Sequence, residues 1–138
     1  MATNPKFSTA AVNAAANAMT ALLNNGVLRL YTGGQPTSAN AAVSAANTLL
    51  ASLTFAATAF TAAVNGIASA NAISDETSAP ATGSALWFRC WSQGAISAVW
   101  DGTVATTGGT ADLLLNSIQI TTGADVAVTA LTLTVNAG

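Results

Sequence analysis

The stretch "ALWFRCWSQGAISAVW", residues 85–100, decides how this chain is read. It holds all three tryptophans, the only cysteine and one of three basic residues. Its first half has strand composition, "SQG" reads as a turn, and "AISAVW" (95–100) reads as a partner strand. With Gln93 and Gly94 as a two-residue hairpin turn, Trp91 faces Ile96, Arg89 faces Ala98 and Trp87 faces Trp100. One face then carries Trp87, Arg89, Trp91 and Trp100, and the other carries Leu86, Phe88, Cys90 and Val99. Both faces are apolar, so both are expected to be covered. The second set would fill the space between two sheets, while the tryptophan face would meet the N-terminal helix, a long loop or another subunit.

Outward from this hairpin the rest of the chain falls into one helix and a series of strands. Ser8 can cap a helix over 8–25, whose Val12, Met19, Leu22 and Leu23 recur near the 3.6-residue period. "NNG" (24–26) stops it, with Gly26 suited to the left-handed position after a helix. "VLRLY" (27–31), "TLLASLTF" (48–55), "IASANAI" (67–73), "TVATT" (103–107), "ADLLLNSIQI" (111–120) and "DVAVTALTLTV" (125–135) read as strands. "TSANAAVSAAN" (37–47) reads as a long loop, "SDETSAPATGS" (74–84) as the most polar loop, and "DG" (101–102) as a turn or bulge. The expected fold is mainly β: a two-sheet antiparallel β-sandwich or jelly roll of about eight strands with one N-terminal helix. Residues 1–138 form a single domain in this reading, with an arm over 1–7, the helix over 8–25 and the sandwich over 27–136.

Composition narrows the function classes. Of the 138 residues 51% are hydrophobic and only 6% charged, and mean hydropathy is +0.52. An ordinary soluble domain carries about 25% charged residues, so this surface reads as one covered by neighbouring subunits. Asn, Thr, Ser and Gly interrupt every apolar run short of the roughly 20 residues a membrane helix needs, and the Ala-rich start makes a poor signal peptide because Asn13 and Asn17 break it. Lys6, Arg29 and Arg89 are too few and too scattered to follow a phosphate backbone, so nucleic acid is not an expected partner.

The chain contains no histidine, hence no Ser-His-Asp or Cys-His arrangement. No phosphate-cradling glycine loop or cysteine pair is present either, and no cofactor or metal site is expected. A lone Cys90 reads as a small buried hydrophobe. The five acids, Asp75, Glu76, Asp101, Asp112 and Asp125, fall at loops or strand edges and read as turn residues. A carboxylate pair able to hydrolyse a glycoside would first be sought at Asp75 and Glu76. The sharper reading belongs to contact: Trp and Arg are enriched among interface hot spots, and Arg89 can stack on a neighbouring indole. Trp87, Arg89, Trp91 and Trp100 are therefore candidate interface residues, with Lys6 and Phe7 as an anchor pair in the N-terminal arm. The competing reading is aromatic packing inside the subunit with Arg89 snorkelling over it.

The order "NGVLRLYTGGQP", "ATGSALWFRCW", "AVWDGTV" and "LLLNSIQITTGADVAVTALTLTV" resembles a group of small virion structural proteins of tailed bacteriophages. The positions that carry the likeness are Tyr31, Gly33, Pro36, Trp87, Phe88, Arg89, Asp101 and Gly102. The resemblance implies a capsid decoration, or cement, protein that binds the outside of an HK97-type shell. Its partners would be the major capsid protein and further copies of itself, its location the capsid surface after synthesis in the host cytoplasm, and its role non-enzymatic. A tail or neck structural protein, or a host-adhesion module that stacks a sugar ring on Trp87 or Trp91, is the alternative.

Overall fold

The computed structural model describes residues 4–138. Among them are one helix, α1 (Thr9–Ala21), and nine strands: β1 (Val27–Tyr31), β2 (Leu49–Thr54), β3 (Ile67–Ser69), β4 (Gly83–Ser84), β5 (Trp87–Trp91), β6 (Ala98–Thr106), β7 (Leu113–Leu115), β8 (Gln119–Ile120) and β9 (Val128–Thr134). The fold is mainly β, as expected. Seven strands form one sheet in the order β2-β1-β5-β6-β7-β9-β3, and β4 pairs with β8.

The expectation of an antiparallel sheet is corrected: the large sheet is mixed, because β6 and β7 run parallel with Val104 opposite Leu113. Parallel neighbours usually need a crossover of a dozen residues or more, whereas here residues 107–112 suffice. Gly109 donates to the Thr106 carbonyl at 2.8 Å, and Gly108 has φ of 92°, so the chain reverses within a tight loop and returns beside the strand it left. Thr107 then donates from both its amide and its hydroxyl to the Leu115 carbonyl.

One core draws on strands from across the whole sheet. Leu28 and Leu30 of β1, Leu50 and Leu53 of β2, Phe88 and Cys90 of β5, Leu113 and Leu115 of β7, Leu131 and Leu133 of β9 and Ala68 of β3 all belong to it. Residues 70–76 link β2 to the β9 side of the sheet: Ala70 donates to the Leu131 carbonyl of β9, Ser74 to the Thr54 carbonyl of β2, and Glu76 exchanges both backbone bonds with Val126, two residues before β9. The Glu76 carboxylate also accepts from the Ser52 amide at 3.2 Å. A sheet edge with free amide and carbonyl groups invites pairing with other chains, and this segment occupies two such groups of β2, the Thr54 carbonyl and the Ser52 amide.

The α1 helix starts as its sequence indicates, with the Ser8 hydroxyl accepting from the Ala11 amide, but it ends at Ala21, short of residue 25. The left-handed position belongs to Asn25 (φ 57°), not to Gly26. Gly26 is needed for a different reason: a Cβ there would lie 2.3 Å from the Trp91 carbonyl oxygen. Leu22, expected on the buried face, is 58% exposed, whereas Leu23 is fully buried. The helix also binds the irregular segment 56–66 through asparagines. The Asn13, Asn17 and Asn24 side-chain oxygens accept from the backbone amides of Gly66, Ala63 and Ala59 at 2.8–2.9 Å. The same Asn13 and Asn17 that break the apolar run thus satisfy amides that no strand partner reaches.

Candidate functional site

The strand pairs around β5 set the geometry of the candidate face. Tyr31, Arg29 and Val27 of β1 lie opposite Trp87, Arg89 and Trp91 of β5, and Arg89 in turn lies opposite Asp101 of β6. Directly opposed residues of an antiparallel pair point to the same side, so alternation places Tyr31, Arg29, Trp87, Arg89, Trp91 and Asp101 together. Leu28, Leu30, Phe88 and Cys90 occupy the opposite, core-facing side.

The register of β5 on β6 corrects the two-residue hairpin. The turn runs through Gln93–Ala95 as a short 3-10 segment, closed by the Ser92 amide on the Ser97 carbonyl and by the Ser97 amide on the Ser92 hydroxyl. A bulge follows, with Trp91 opposite Ala98 but Cys90 opposite Trp100. Two consequences differ from the expected register. Arg89 faces Asp101 in place of Ala98, and Trp100 moves to the core side. There it meets Phe88 edge-on, with ring centroids 5.1 Å apart. "DG" at 101–102 is not a turn but the middle of β6. Gly102 sits opposite Phe88, where an added Cβ would come within 2.6 Å of two ring carbons, so the glycine makes room for the ring.

On the other side the rings and guanidinium groups interleave. Tyr31 stacks on Trp87 with centroids 4.7 Å apart and planes 21° from parallel. The Arg89 guanidinium carbon lies 5.5 Å from the Trp87 ring centre and 5.6 Å from that of Trp91, and Arg29 lies 5.8 Å from Trp91. These spacings fall within reach of the attraction between a cation and an aromatic face. Arg89 is 1% exposed. Its Nε donates to Asp101 Oδ1 at 2.6 Å and its Nη2 to Oδ2 at 2.8 Å, a two-pronged ion pair. The remaining bonds go to main-chain carbonyls of the loop between β1 and β2: Nη1 to Ala41 at 2.7 Å and Nη2 to Ser38 at 3.2 Å. The Asp101 hydrogen bond holds the Arg89 guanidinium above its ordinary pKa, against the opposing effect of burial.

Among the named interface candidates, Trp87 and Arg89 are buried within the chain itself, and Trp91 and Trp100 are half-buried. Of the three covers considered for the tryptophan face, the long loop is the one that binds Arg89. Phe7 and Lys6 are exposed, and the Phe7 amide donates to the Ala137 carbonyl at 2.8 Å. Phe7 borders a shallow apolar groove of about 310 Å³ with Ala11, Val12, Ala15, Val135 and Asn136. The Met1–Thr3 part of the arm lies outside the described residues. Cys90 is fully buried, and burial pushes its thiol well above the ordinary range, which keeps it protonated and inert.

The acids have structural partners where the geometry is specific: Asp101 serves Arg89, and Glu76 accepts from the Ser52 and Ser78 amides. Among the described residues, no three acids and cysteines gather as a metal site would require, and no helix is long and apolar enough to cross a membrane. The role of Asp101 was missed in the sequence because "DG" is a strong turn signal. Its only trace there is an acid twelve residues after a strand arginine. Comparison with known protein families, with curated proteins and with solved structures finds no match.

Proposed function

We propose that the chain is a non-enzymatic virion structural protein, a decoration protein that binds the outside of a bacteriophage shell and bridges neighbouring capsid subunits. The observation that carries this reading is the character of the surface. Phe7, Leu22, Val64, Ile67, Leu86 and Ile96 are all 45–82% exposed in a chain with only eight charged residues, three basic and five acidic. One of those three basic residues, Arg89, is withdrawn into the interior. Exposed apolar side chains with so little charge between them support a surface that other proteins cover. The ordered likeness of "NGVLRLYTGGQP", "ATGSALWFRCW" and "AVWDGTV" to phage virion subunits supplies the kind of assembly. A two-layer, sandwich-like arrangement of the sheet belongs to the same reading, supported by side chains of both edge strands meeting in one core.

The mechanism is multivalent contact. Each copy adds apolar area across a joint between shell subunits, and many copies must let go together before the shell fails. The adhesion alternative draws less support, because a sugar platform needs an open tryptophan, whereas Trp87 is fully buried and Trp91 is half-buried. The test is to mix purified protein with expanded shells that lack it. Stoichiometric binding with a raised shell melting temperature is expected; binding to host cells or glycans but not to shells would overturn the reading.

A further inference from the structure

We propose that Arg29, backed by Trp91, is a binding site for a carboxylate, and that an Asp or Glu side chain of the shell subunit fills it. The site stands on its own geometry, and the owner of the acid rests on the shell-binding reading. Arg29 is half-buried and shares the face of Trp87, Arg89 and Trp91. For stability alone it is a poor place for an arginine. Across β1 and β5 it lies directly opposite Arg89, and like charges directly opposed in a sheet repel. Its other cross-strand neighbour, Ser52, is uncharged. Arg89 with Asp101 is the one ion pair among the described residues, so Arg29 has no acid of its own. Glu76, which reaches the Ser52 amide, has its two carboxylate oxygens on the amides of Ser52 and Ser78.

Two orphaned donors point to a ligand. Arg29 Nε is buried without an acceptor, and so is Trp91 Nε1 on the same face. A buried donor left unmade costs stability, which an incoming acceptor restores. The third such atom, Trp87 Nε1, belongs to a fully buried ring, whereas Arg29 and Trp91 both keep part of their surface in solvent. The Arg29 guanidinium carbon lies 5.8 Å from the Trp91 ring centre. Attraction to the ring face holds the cation in place without using its N–H groups.

Charge decides the class of ligand. β1, β5 and β6 carry Arg29, Arg89 and Asp101 and no other charged residue, so one positive charge is left over once Arg89 and Asp101 cancel. A single carboxylate balances it and fits the planar guanidinium fork with two parallel bonds. A phosphate group brings more negative charge than this face can balance. The neighbours of the site, Trp91 and the half-buried Val27 opposite it, are apolar. Arginine and tryptophan set together in an apolar surround are the residues that anchor contacts between proteins.

Two measurements test the proposal. The first titrates the free protein with sodium acetate, and with sodium chloride at equal ionic strength, following the Arg29 Nε–H and Trp91 indole N–H resonances. Saturable, acetate-specific shifts of both are expected in the wild type, with the indole shift lost in Arg29→Met; equal responses to the two salts would overturn the site. The second measures binding to expanded shells that lack the protein. Arg29→Met is expected to bind about ten- to a hundredfold more weakly, and Arg29→Lys, which keeps the charge without the fork, to fall in between. The melting temperature of free Arg29→Met is expected to equal or exceed that of the wild type; a lower one would show an arginine kept for the fold and overturn the site. Should Arg29→Met fail to fold, Arg29→Lys carries the binding comparison. Unchanged shell affinity in a folded variant would overturn the shell acid as the occupant. Wild-type protein that responds to acetate but does not bind shells would overturn the shell-binding reading and the owner of the acid, and leave the carboxylate site standing.

Discussion

Asp101 lies directly opposite Arg89 across β5 and β6, and its two carboxylate oxygens meet Arg89 Nε and Nη2 at 2.6 and 2.8 Å with side chains 5% and 1% exposed. A buried pair adds little over apolar packing, but removal of one partner strands the other charge. Asp101→Asn is therefore expected to lower the unfolding free energy by about 3–5 kcal/mol. Urea denaturation checks this, and a double-mutant cycle with Arg89→Met should show strong coupling. Independent, additive effects would remove the pair from the account of stability.

Gly102 makes a separate prediction, because its constraint is steric. Gly102→Ala places a methyl within 2.6 Å of the Phe88 ring, in the middle of a paired strand. Overpacking of this kind costs about 1–3 kcal/mol. Phe88→Leu in the Gly102→Ala background should recover part of the loss in thermal melts, whereas Phe88→Leu alone should only destabilise.

Cys90 gives the protein a pH dependence of known sign. Burial raises its thiol pKa in the folded state, so above about pH 8.5 the unfolded chain loses the proton that the folded chain keeps. Stability attributable to this group is thus full below that pH and falls as pH rises, by up to about 1.4 kcal/mol per unit. The difference in unfolding free energy between the wild type and Cys90→Ala, followed from pH 7 to 10, isolates the slope that belongs to the thiol. The native thiol should also resist a thiol reagent that labels it at once in urea.

The asparagine contacts of α1 predict a loss out of proportion to their exposure. Asn17 is exposed, yet its side-chain oxygen accepts from the Ala63 amide at 2.8 Å. Asn17→Ala leaves that part-buried amide without an acceptor and should cost about 1–3 kcal/mol, while Ala18→Ser, on the exposed side, should change stability by less than about 0.5 kcal/mol. Chemical denaturation of the two variants separates the cases.

Several features of the candidate site were legible in the chain. Strand alternation in "WFRCW" divides Trp87, Arg89 and Trp91 from Phe88 and Cys90, and the structure keeps that division. Trp100 was placed on the wrong side because one bulge reverses every later side chain. Local residues can signal a turn, but its length depends on the Ser92–Ser97 contacts that close it. The helical spacing of Asn13, Asn17 and Asn24 was visible as well, but their targets lie 35–53 residues away.

By itself the sequence determined the β-rich class, the start of α1 at Ser8, most strand positions and the absence of histidine chemistry. These follow from side-chain periodicity, capping chemistry and composition, which act over a few residues. The tertiary structure decided the rest: the parallel pairing of β6 with β7, the bonding of residues 70–76 to β2 and β9, the meeting of Arg89 with Asp101 and the loop over Arg89. Each depends on which distant backbone groups find partners, and strand register settles that only when the whole sheet closes around its core.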